Sequence, residues 1–71
     1  MAFPDAVADL YRRGLLPSVF RVADIYRHLR RMFSEKYIRT GLANYAEGGN
    51  YAIQGTRARF RRVSRGAYQL I

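Results

Sequence analysis

Apolar residues recur at helical spacing along residues 33–47. Ile38, Leu42 and Tyr45 are separated by four and three positions, a spacing that places side chains on one face of an α-helix. Ser34 precedes this run and is a favoured N-cap residue, because its hydroxyl accepts a hydrogen bond from a free N–H of the first turn. The pattern therefore predicts a helix over 33–47 with one apolar and one polar face.

Two earlier stretches show the same period. A first helix is predicted over 3–13, with Pro4 in its first turn and Gly14 as a left-handed stop. A second helix is predicted from Val22, with an apolar pattern that continues to Phe33 and only about one or two residues between the helix and Ser34. The apolar positions of these two helices are Ala6, Val7, Leu10, Tyr11, Ile25, Leu29, Met32 and Phe33.

Towards the C-terminus the pattern changes to alternation. Residues 59–63 and 67–71 are predicted to form two strands around a turn at 64–66, where Gly66 supplies the positive φ that a tight hairpin requires. A two-stranded hairpin is marginally stable alone, so it must pack on the helices. The side chains predicted to make that contact are Phe60, Tyr68 and Leu70.

Two short segments complete the chain. Residues 19–22 are mostly β-branched or aromatic and are predicted to form a short third strand with a single bridge. Residues 48–56 are predicted to be irregular, with Tyr51 and Ile53 as anchors, and their glycines leave a mobile loop as the alternative. This order of elements predicts an α+β fold of three helices and a C-terminal two-stranded hairpin, in a single domain over 1–71.

The charge of the chain is concentrated beyond residue 24. Thirteen Lys and Arg residues against five Asp and Glu residues give a net charge of +8. Residues 1–24 sum to zero, whereas 25–71 carry the whole excess and contain only Glu35 and Glu47 as acids. Such a one-sided field is expected of a surface that meets a polyanion.

Composition excludes several classes of protein. Seventy-one residues are too few to enclose a large substrate pocket, and a hydrophobic content of 49% argues against a disordered basic tail. Without cysteine, the chain can form neither disulfides nor a thiolate zinc site. Its apolar runs are short and interrupted by Arg, so we expect no signal peptide, no membrane partner, and a cytoplasmic, nucleoid-associated location.

An enzyme is not expected. The single histidine, His28, lies among arginines and has the setting of a surface residue. No nucleophile has a visible base, and no group of side chains has the ligand count of a metal site. Gly48 and Gly49 lack the strand, helix and lysine that accompany a phosphate loop. We therefore expect no catalytic residue, metal, cofactor or small-molecule substrate.

The polar face of the third predicted helix carries hydrogen-bond donors suited to nucleic acid. Arg39 can read guanine and Asn44 adenine through paired hydrogen bonds. Ser34 and Tyr37 suit phosphates at the helix N-terminus, with half-buried packing as an equal alternative for Tyr37. The alternative for the whole face is that its cations are merely solvated. The residues of this helix expected at a DNA surface are Ser34, Lys36, Tyr37, Arg39, Thr40 and Asn44.

Further arginines lie in the predicted hairpin. Arg61, Arg62 and Arg65 are near its tip and can hold flanking phosphates or enter a minor groove. For Arg57 and Arg59, a solvated strand face is the expectation. A solvated helix surface is the expectation for the arginines on the outside of the second helix, Arg27, Arg30 and Arg31, with a contact of Arg27 or Arg31 to the DNA backbone as the alternative.

Three motifs of the sequence resemble a known family. These are Val-Ala-Asp-Ile-Tyr at 22–26, Tyr-Ile-Arg-Thr at 37–40, and the run 60–71, which combines an aromatic residue, a basic pair, Ser-Arg-Gly and Tyr-x-Leu. Together they resemble the small winged-helix domains found alone or fused to restriction-type and other nucleases in prokaryotes, over residues 19–71. The resemblance implies a winged helix-turn-helix fold that binds DNA through its third helix and its hairpin, or wing.

Two positions depart from the family pattern. Arg21 stands where such domains usually place a Ser or Thr helix cap, which leaves Asp24 to satisfy that end. Gly41 lies in the middle of the third helix, where glycine costs about 1 kcal/mol relative to alanine. Such a glycine either admits a close approach or, more often, is a tolerated weakness.

The resulting expectation is a protein that binds double-stranded DNA as a small transcriptional regulator or a DNA-targeting module. A domain of this size reads few base pairs, so a homodimer on DNA is expected. One alternative is an RNA-binding module that stacks tyrosines on bases, and another is a winged-helix module that docks an acidic protein. The sequence leaves open the target site, the choice between repressor, architectural and targeting roles, and whether the chain is complete.

Overall fold

The chain forms an α+β fold of helices and a two-stranded antiparallel sheet. The structure, a computed structural model, describes residues 1–55 and 57–71. In chain order the elements are α1 (Phe3–Arg12), α2 (Val22–Leu29), α3 (Glu35–Asn44), α4 (Asn50–Ile53), β1 (Phe60–Ser64) and β2 (Ala67–Leu70). Within the described ranges, every helix is too short or too polar to cross a membrane.

Helix α1 begins and ends where its sequence predicts. Pro4 lies in the first turn, where a missing N–H costs nothing, and Asp5 lies at the positive end of the helix dipole. The predicted stop is confirmed, because Gly14 adopts a φ of 75° and its N–H donates to the carbonyl of Tyr11. The N–H of Leu15 then donates to the carbonyl of Leu10, which turns the connector back towards the core.

Helix α2 is shorter than predicted. At its start the Oδ2 of Asp24 accepts the backbone N–H of Arg21 at 2.9 Å, and the N–H of Asp24 donates to the carbonyl of Arg21 at 3.1 Å rather than to a Ser or Thr hydroxyl. The helix ends at Leu29 rather than just before Ser34, because the carbonyl of Leu29 accepts the N–H groups of both Met32 and Phe33 and so tightens the last turn. As a result Met32 is 57% exposed instead of buried, while Phe33 packs partly against the core.

Helix α3 has the predicted cap but a different end. The hydroxyl of Ser34 accepts the N–H of Tyr37 at 3.0 Å, which confirms the N-cap. The helix stops at Asn44, so the predicted end at residue 47 is wrong. Residues 45–47 bond to β1 instead: the carbonyl of Tyr45 accepts the N–H of Arg59 at 2.8 Å, and the N–H of Glu47 donates to Phe60 at 3.0 Å.

Helix α4 falls within the stretch predicted to be irregular, so that prediction is wrong for Asn50–Ile53. Tyr51 acts as an anchor, because its ring meets the ring of Tyr45 edge-on with centroids 4.8 Å apart. Ile53 does not, since it is 74% exposed on the other side of this single turn. The end of the predicted stretch, Thr56, lies outside the described residues.

The C-terminal hairpin, made of β1, β2 and the turn between them, pairs Phe60 with Leu70 across the strands, as predicted. Ser64 belongs to β1, so the turn consists of Arg65 and Gly66, and Gly66 adopts the expected positive φ of 72°. The register shifts between Arg62 and Ser64, which marks a β-bulge.

The predicted third strand is a single bridge, as expected. The N–H of Phe20 donates to the carbonyl of Tyr68 at 2.8 Å, and the N–H of Tyr68 donates back at 2.9 Å. This bridge attaches the connector between α1 and α2 to the free side of β2. The backbone before α2 is therefore fixed to the hairpin.

The core joins the hairpin to all three long helices. Phe60 is fully buried and meets Phe20 and Phe3 at ring-centroid distances of 6.1 and 6.2 Å, both edge-to-face. The other fully buried side chains of largest volume are Val7, Ile25, Ile38 and Leu42. A hairpin that is marginal by itself gains its stability from this contact.

Gly41 admits a close approach between α1 and α3. A Cβ atom at this position would lie 2.8 and 2.9 Å from two carbons of the Phe3 ring, closer than van der Waals contact allows. That ring is itself buried and is surrounded by Phe33, Tyr37 and Phe60. The glycine is therefore required by packing, and the interpretation as a tolerated weakness is wrong.

Replacing Gly41 by Ala tests this contact. Helix propensity alone would stabilise the variant by about 1 kcal/mol, but displacement of the Phe3 ring costs about 1–3 kcal/mol. We expect a net loss of about 1 kcal/mol, measured by urea unfolding. Ala43→Gly, at an exposed position of the same helix, reports the propensity term alone. A Gly41→Ala variant more stable than the parent would contradict the packing role.

Candidate nucleic-acid interface

The outward side of α3 is open to solvent. Successive residues of an α-helix are rotated by about 100°, so Lys36, Thr40 and Ala43 lie on the side opposite Ile38 and Leu42. The first three side chains are exposed and the last two are fully buried. We call Lys36, Thr40 and Ala43 the α3 stripe. It presents one cation, one hydroxyl and one methyl group, with no bulky side chain.

Arg39 flanks the stripe and is engaged within its own helix. Its Nη2 lies 3.0 Å from Oε1 of Glu35, one turn earlier, and both side chains are more than half exposed. An exposed pair of this kind is worth only about 0.3–0.5 kcal/mol. Arg39 can therefore leave Glu35 for a stronger anion, but it is not a free cation in this structure.

Asn44 lies at the C-terminal edge of the helix rather than at its centre. It is half-buried, and its Oδ1 accepts a weak hydrogen bond of 3.4 Å from the side chain of Asn50 in α4. Paired hydrogen bonds to adenine need the carbonyl oxygen as well as the amide group. The expected role of Asn44 therefore requires that it give up its contact with Asn50.

Ser34 and Tyr37, the two residues of α3 expected at phosphates, both make contacts that stabilise the fold. The hydroxyl of Ser34 is used as the helix cap. The ring of Tyr37 stacks on Phe33 with centroids 5.0 Å apart and meets the edge of Phe3 at 5.8 Å, yet half of its surface stays exposed. The half-buried packing named as an alternative for Tyr37 is present, and its outer edge is still accessible to a ligand.

Arg62 connects the hairpin to the α3 stripe. In the ladder it pairs with Tyr68, on the side of the sheet that carries buried Phe60, but it lies beyond the edge of the core and is exposed. Arg62 and Ala43 line the same small cleft of about 140 Å³. The cation of the hairpin and the outward side of α3 therefore belong to one continuous surface.

Arg61 points to the opposite side of the sheet and is bound to Glu47. Its Nε and Nη2 lie 3.0 and 3.5 Å from the two carboxylate oxygens, a side-on pair. The hydrogen bond from Arg61 lowers the pKa of Glu47 below its usual 4.5; desolvation opposes this, and the charge of Arg61 adds to it. The same hydrogen bond raises the pKa of Arg61 above its usual value. Arg61 thus serves as a link between strand and helix end.

Arg59 is not on a solvated strand face, so that expectation is wrong. Its Nη2 lies 2.8 Å from Oδ1 of Asp5, and about a third of its side chain is exposed. The pair spans 54 positions of sequence and ties the start of α1 to the segment before β1. Nothing in the local pattern of the strand indicates this partner, because it comes from the other end of the chain.

Each acidic side chain of the described residues has a defined contact. Asp9 pairs with Arg13, and the contacts of Asp5, Asp24, Glu35 and Glu47 are given above. Within the same ranges the other cations have no carboxylate within 4.0 Å, so they carry the excess charge. These cations are Arg12, Arg21, Arg27, Arg30, Arg31, Lys36, Arg57, Arg62 and Arg65.

Arg21 is a surface cation that the sequence analysis treated only as a poor cap. Its Nη1 donates to the carbonyl of Arg65 in the hairpin turn at 3.2 Å. The sequence signal that could have drawn attention to it was its replacement of the usual Ser or Thr. Arg27 and His28 are exposed on α2, and Arg30 and Arg31 are exposed directly after it, as expected of a solvated surface.

The described residues hold no group of three or more potential metal-ligating side chains. The residues brought together are instead those of a basic strip that runs from α3 to the hairpin. Such a strip can hold anions by charge and by hydrogen bonds from Lys, Arg and Thr.

The pair between Arg61 and Glu47 gives a pH-dependent prediction. Because the folded-state pKa of Glu47 is lowered, the pair stabilises the fold above pH 4.5 and its contribution is lost as pH falls through the folded-state pKa. A carboxyl-carbon NMR titration should therefore give Glu47 a pKa below 4.5. Arg61→Gln should bring it back towards that value. An unchanged pKa in the variant would exclude Arg61 as the cause.

Searches of protein-family models, of curated proteins and of solved structures returned no match to the chain. What the protein does is therefore inferred from its own residues and from the surface they form.

Proposed function

We propose that the protein is a winged helix-turn-helix domain that binds double-stranded DNA. In this proposal α2 and α3 form the helix-turn-helix, α3 enters the major groove, and the hairpin is the wing that contacts the adjacent backbone. The observation that carries the proposal is the continuity of the exposed α3 stripe with Arg62 of the hairpin.

The shape of α3 suits a groove. An α-helix with its side chains is about 10–12 Å across, and the major groove of B-DNA is about 12 Å wide. Thr40 and Ala43 at the centre of the stripe are short, so the helix backbone can come close to the base edges. Lys36 at one end and Arg62 beyond the other can meet phosphates on the two sides of the groove.

Individual side chains then divide into three roles. Thr40 and Arg39 face base edges, Arg39 after release from Glu35. Lys36, Arg62 and Arg65 hold phosphates and fix the register without reading sequence. Of the remaining predicted DNA residues, Ser34, Tyr37 and Asn44 lie beside the stripe on α3, where they support it or make secondary contacts. Arg61 lies on the opposite side of the sheet and supports the surface through its pair with Glu47.

Two copies can bind neighbouring half-sites. The longest dimension of the domain is 29 Å, whereas successive major grooves on one side of the duplex are about 34 Å apart. Two domains therefore fit on one side of the DNA without overlap. We propose a homodimer on a two-fold site, acting as a small transcriptional regulator or a DNA-targeting module in the nucleoid.

RNA binding through stacked bases is less well supported. Tyr68 is buried, Tyr45 is packed beneath Tyr51, and one side of the Tyr37 ring is covered by Phe33. A stacking platform needs aromatic faces that are open to the base. Competition between duplex DNA and structured RNA at matched salt separates the two functions.

The salt dependence of duplex binding tests the proposed surface. With about five phosphate contacts, the slope of log affinity against log salt should be about −4 to −5. Lys36→Gln and Arg62→Gln should each reduce its magnitude by about 0.9. Arg12→Gln, which removes the same charge on α1, should leave the slope unchanged. A slope near zero for the parent protein, or equal losses in all three variants, would refute the assignment.

Release of Arg39 from Glu35 gives a separate prediction. Glu35→Gln removes both the competing carboxylate and a negative charge beside the groove, so duplex affinity should rise about twofold to fivefold at low salt. Asp9→Asn makes the same change in net charge on α1 and should have little effect. If both variants raise affinity equally, net charge rather than the freed Arg39 is responsible.

A further inference from the structure

Arg21 joins the start of α2 to the turn of the hairpin. Its Nη1 donates to the carbonyl of Arg65 at 3.2 Å, across 44 positions of sequence. The same Nη1 would lie 3.6 Å from a Cβ atom at Gly66, so the guanidinium lies directly against the turn. The guanidinium of Arg21 therefore lies beside the backbone of Arg65, and both arginines are exposed.

Neither arginine has a carboxylate within 4.0 Å in the part of the chain that the structure describes. The nearest acid in sequence, Asp24, uses its Oδ2 to accept the backbone N–H of Arg21. The guanidinium of Arg21 spends one of its five N–H donors on the carbonyl of Arg65 and stays exposed. Donors and positive charge remain at this place for an outside anion.

The backbone next to Arg21 is joined to the hairpin strand that pairs with Arg62. Arg62 pairs with Tyr68 in the ladder, and Tyr68 is bridged on its other side to Phe20, the residue before Arg21. Adjacent strands are about 4.8 Å apart, so the backbones at Arg62 and Phe20 are separated by about 10 Å. Arg21 follows Phe20 with an extended backbone, so its side chain leaves the row on the side opposite Phe20 and Arg62 and reaches the hairpin turn from there.

We propose that Arg21 and Arg65 form a clamp for a single backbone phosphate of duplex DNA, and that Arg21 at the same time holds the hairpin turn in place. This rests on the proposed function and extends it, because it adds the start of α2 to the binding surface. The planar guanidinium suits both tasks, since it can donate to the Arg65 carbonyl and to a phosphate oxygen from different nitrogens.

If Arg21 only held the hairpin turn in place, its positive charge would not be needed. A neutral donor would be enough to hold the Arg65 carbonyl, and the effect would be visible in the free protein alone. The clamp requires the charge of Arg21, and its effect appears in the salt dependence of DNA binding. Lysine keeps the charge but lacks the fork of donors, so Arg21→Lys should recover only part of the affinity.

The test is fluorescence-anisotropy titration of a labelled duplex across a salt series with Arg21→Gln, Arg65→Gln and the double variant. Each single variant should bind about tenfold more weakly at low salt. The loss of duplex affinity in the double variant should be much smaller than the product of the losses in the two single variants. Its slope should fall in magnitude by about 0.9, the value for one phosphate, and not by about 1.8, the value for two.

Control measurements separate the possible failures. Arg12→Gln should bind like the parent protein, and thermal unfolding should show that the exposed substitutions leave the fold intact. If the parent protein does not bind duplex, the proposed function fails. If the parent protein binds duplex and Arg21→Gln binds it equally well, the clamp is wrong. Faster hydrogen exchange at Gly66 in that variant would then mean that Arg21 only holds the turn. Additive losses of binding free energy, with a change of about 1.8 in the salt slope of the double variant, would likewise contradict the proposal that the two arginines share one phosphate.

Discussion

The side chain of Phe60 lies fully buried between Phe20 and Phe3, at the place where the hairpin meets the helices. The backbone at the same residue accepts the N–H of Glu47, so both the side chain and the main chain hold β1 against the end of α3. A hairpin of this size has little stability of its own. The position of every arginine beyond Phe60 therefore depends on this one contact.

The acids of the chain are used to hold the fold and leave the excess charge in place. Asp5 ties Arg59 to α1, Glu47 binds Arg61, and Asp24 closes the first turn of α2. Each contact is exposed and individually weak. Asp5 and Glu47 neutralise cations near the joints between elements, whereas Asp24 binds a backbone N–H. Among the described residues, the cations left without a carboxylate partner include Lys36, Arg62 and Arg65 of the proposed DNA surface, while Arg39 is paired with Glu35. The excess of positive charge thus follows from how few acids there are and where they lie.

The elements whose signals are local were well predicted. The cap at Ser34, the buried positions of α3 and the turn glycine Gly66 each depend on residues within a few positions. Errors arose where distant segments compete for the backbone. Residues 45–47 have a helical pattern, yet the carbonyl of Tyr45 and the N–H of Glu47 bond to Arg59 and Phe60, at the start of the hairpin, instead of continuing α3. The short helix α4 follows from the same departure, because the chain must turn beside the end of α3.

The sequence by itself determined the net charge of +8, its concentration after residue 24 and the side of α3 that faces solvent, because composition and helical period are properties of the chain. Only the tertiary structure decided which arginines are paired with a carboxylate. Arg59 meets Asp5 from 54 positions away, whereas Arg21, within the described residues, meets only the carbonyl of Arg65, 44 positions away, and keeps its charge free. The need for Gly41 was settled in the same way, by the ring of Phe3 from another helix. Contacts between remote segments follow from packing in three dimensions, and a local pattern carries no information about them.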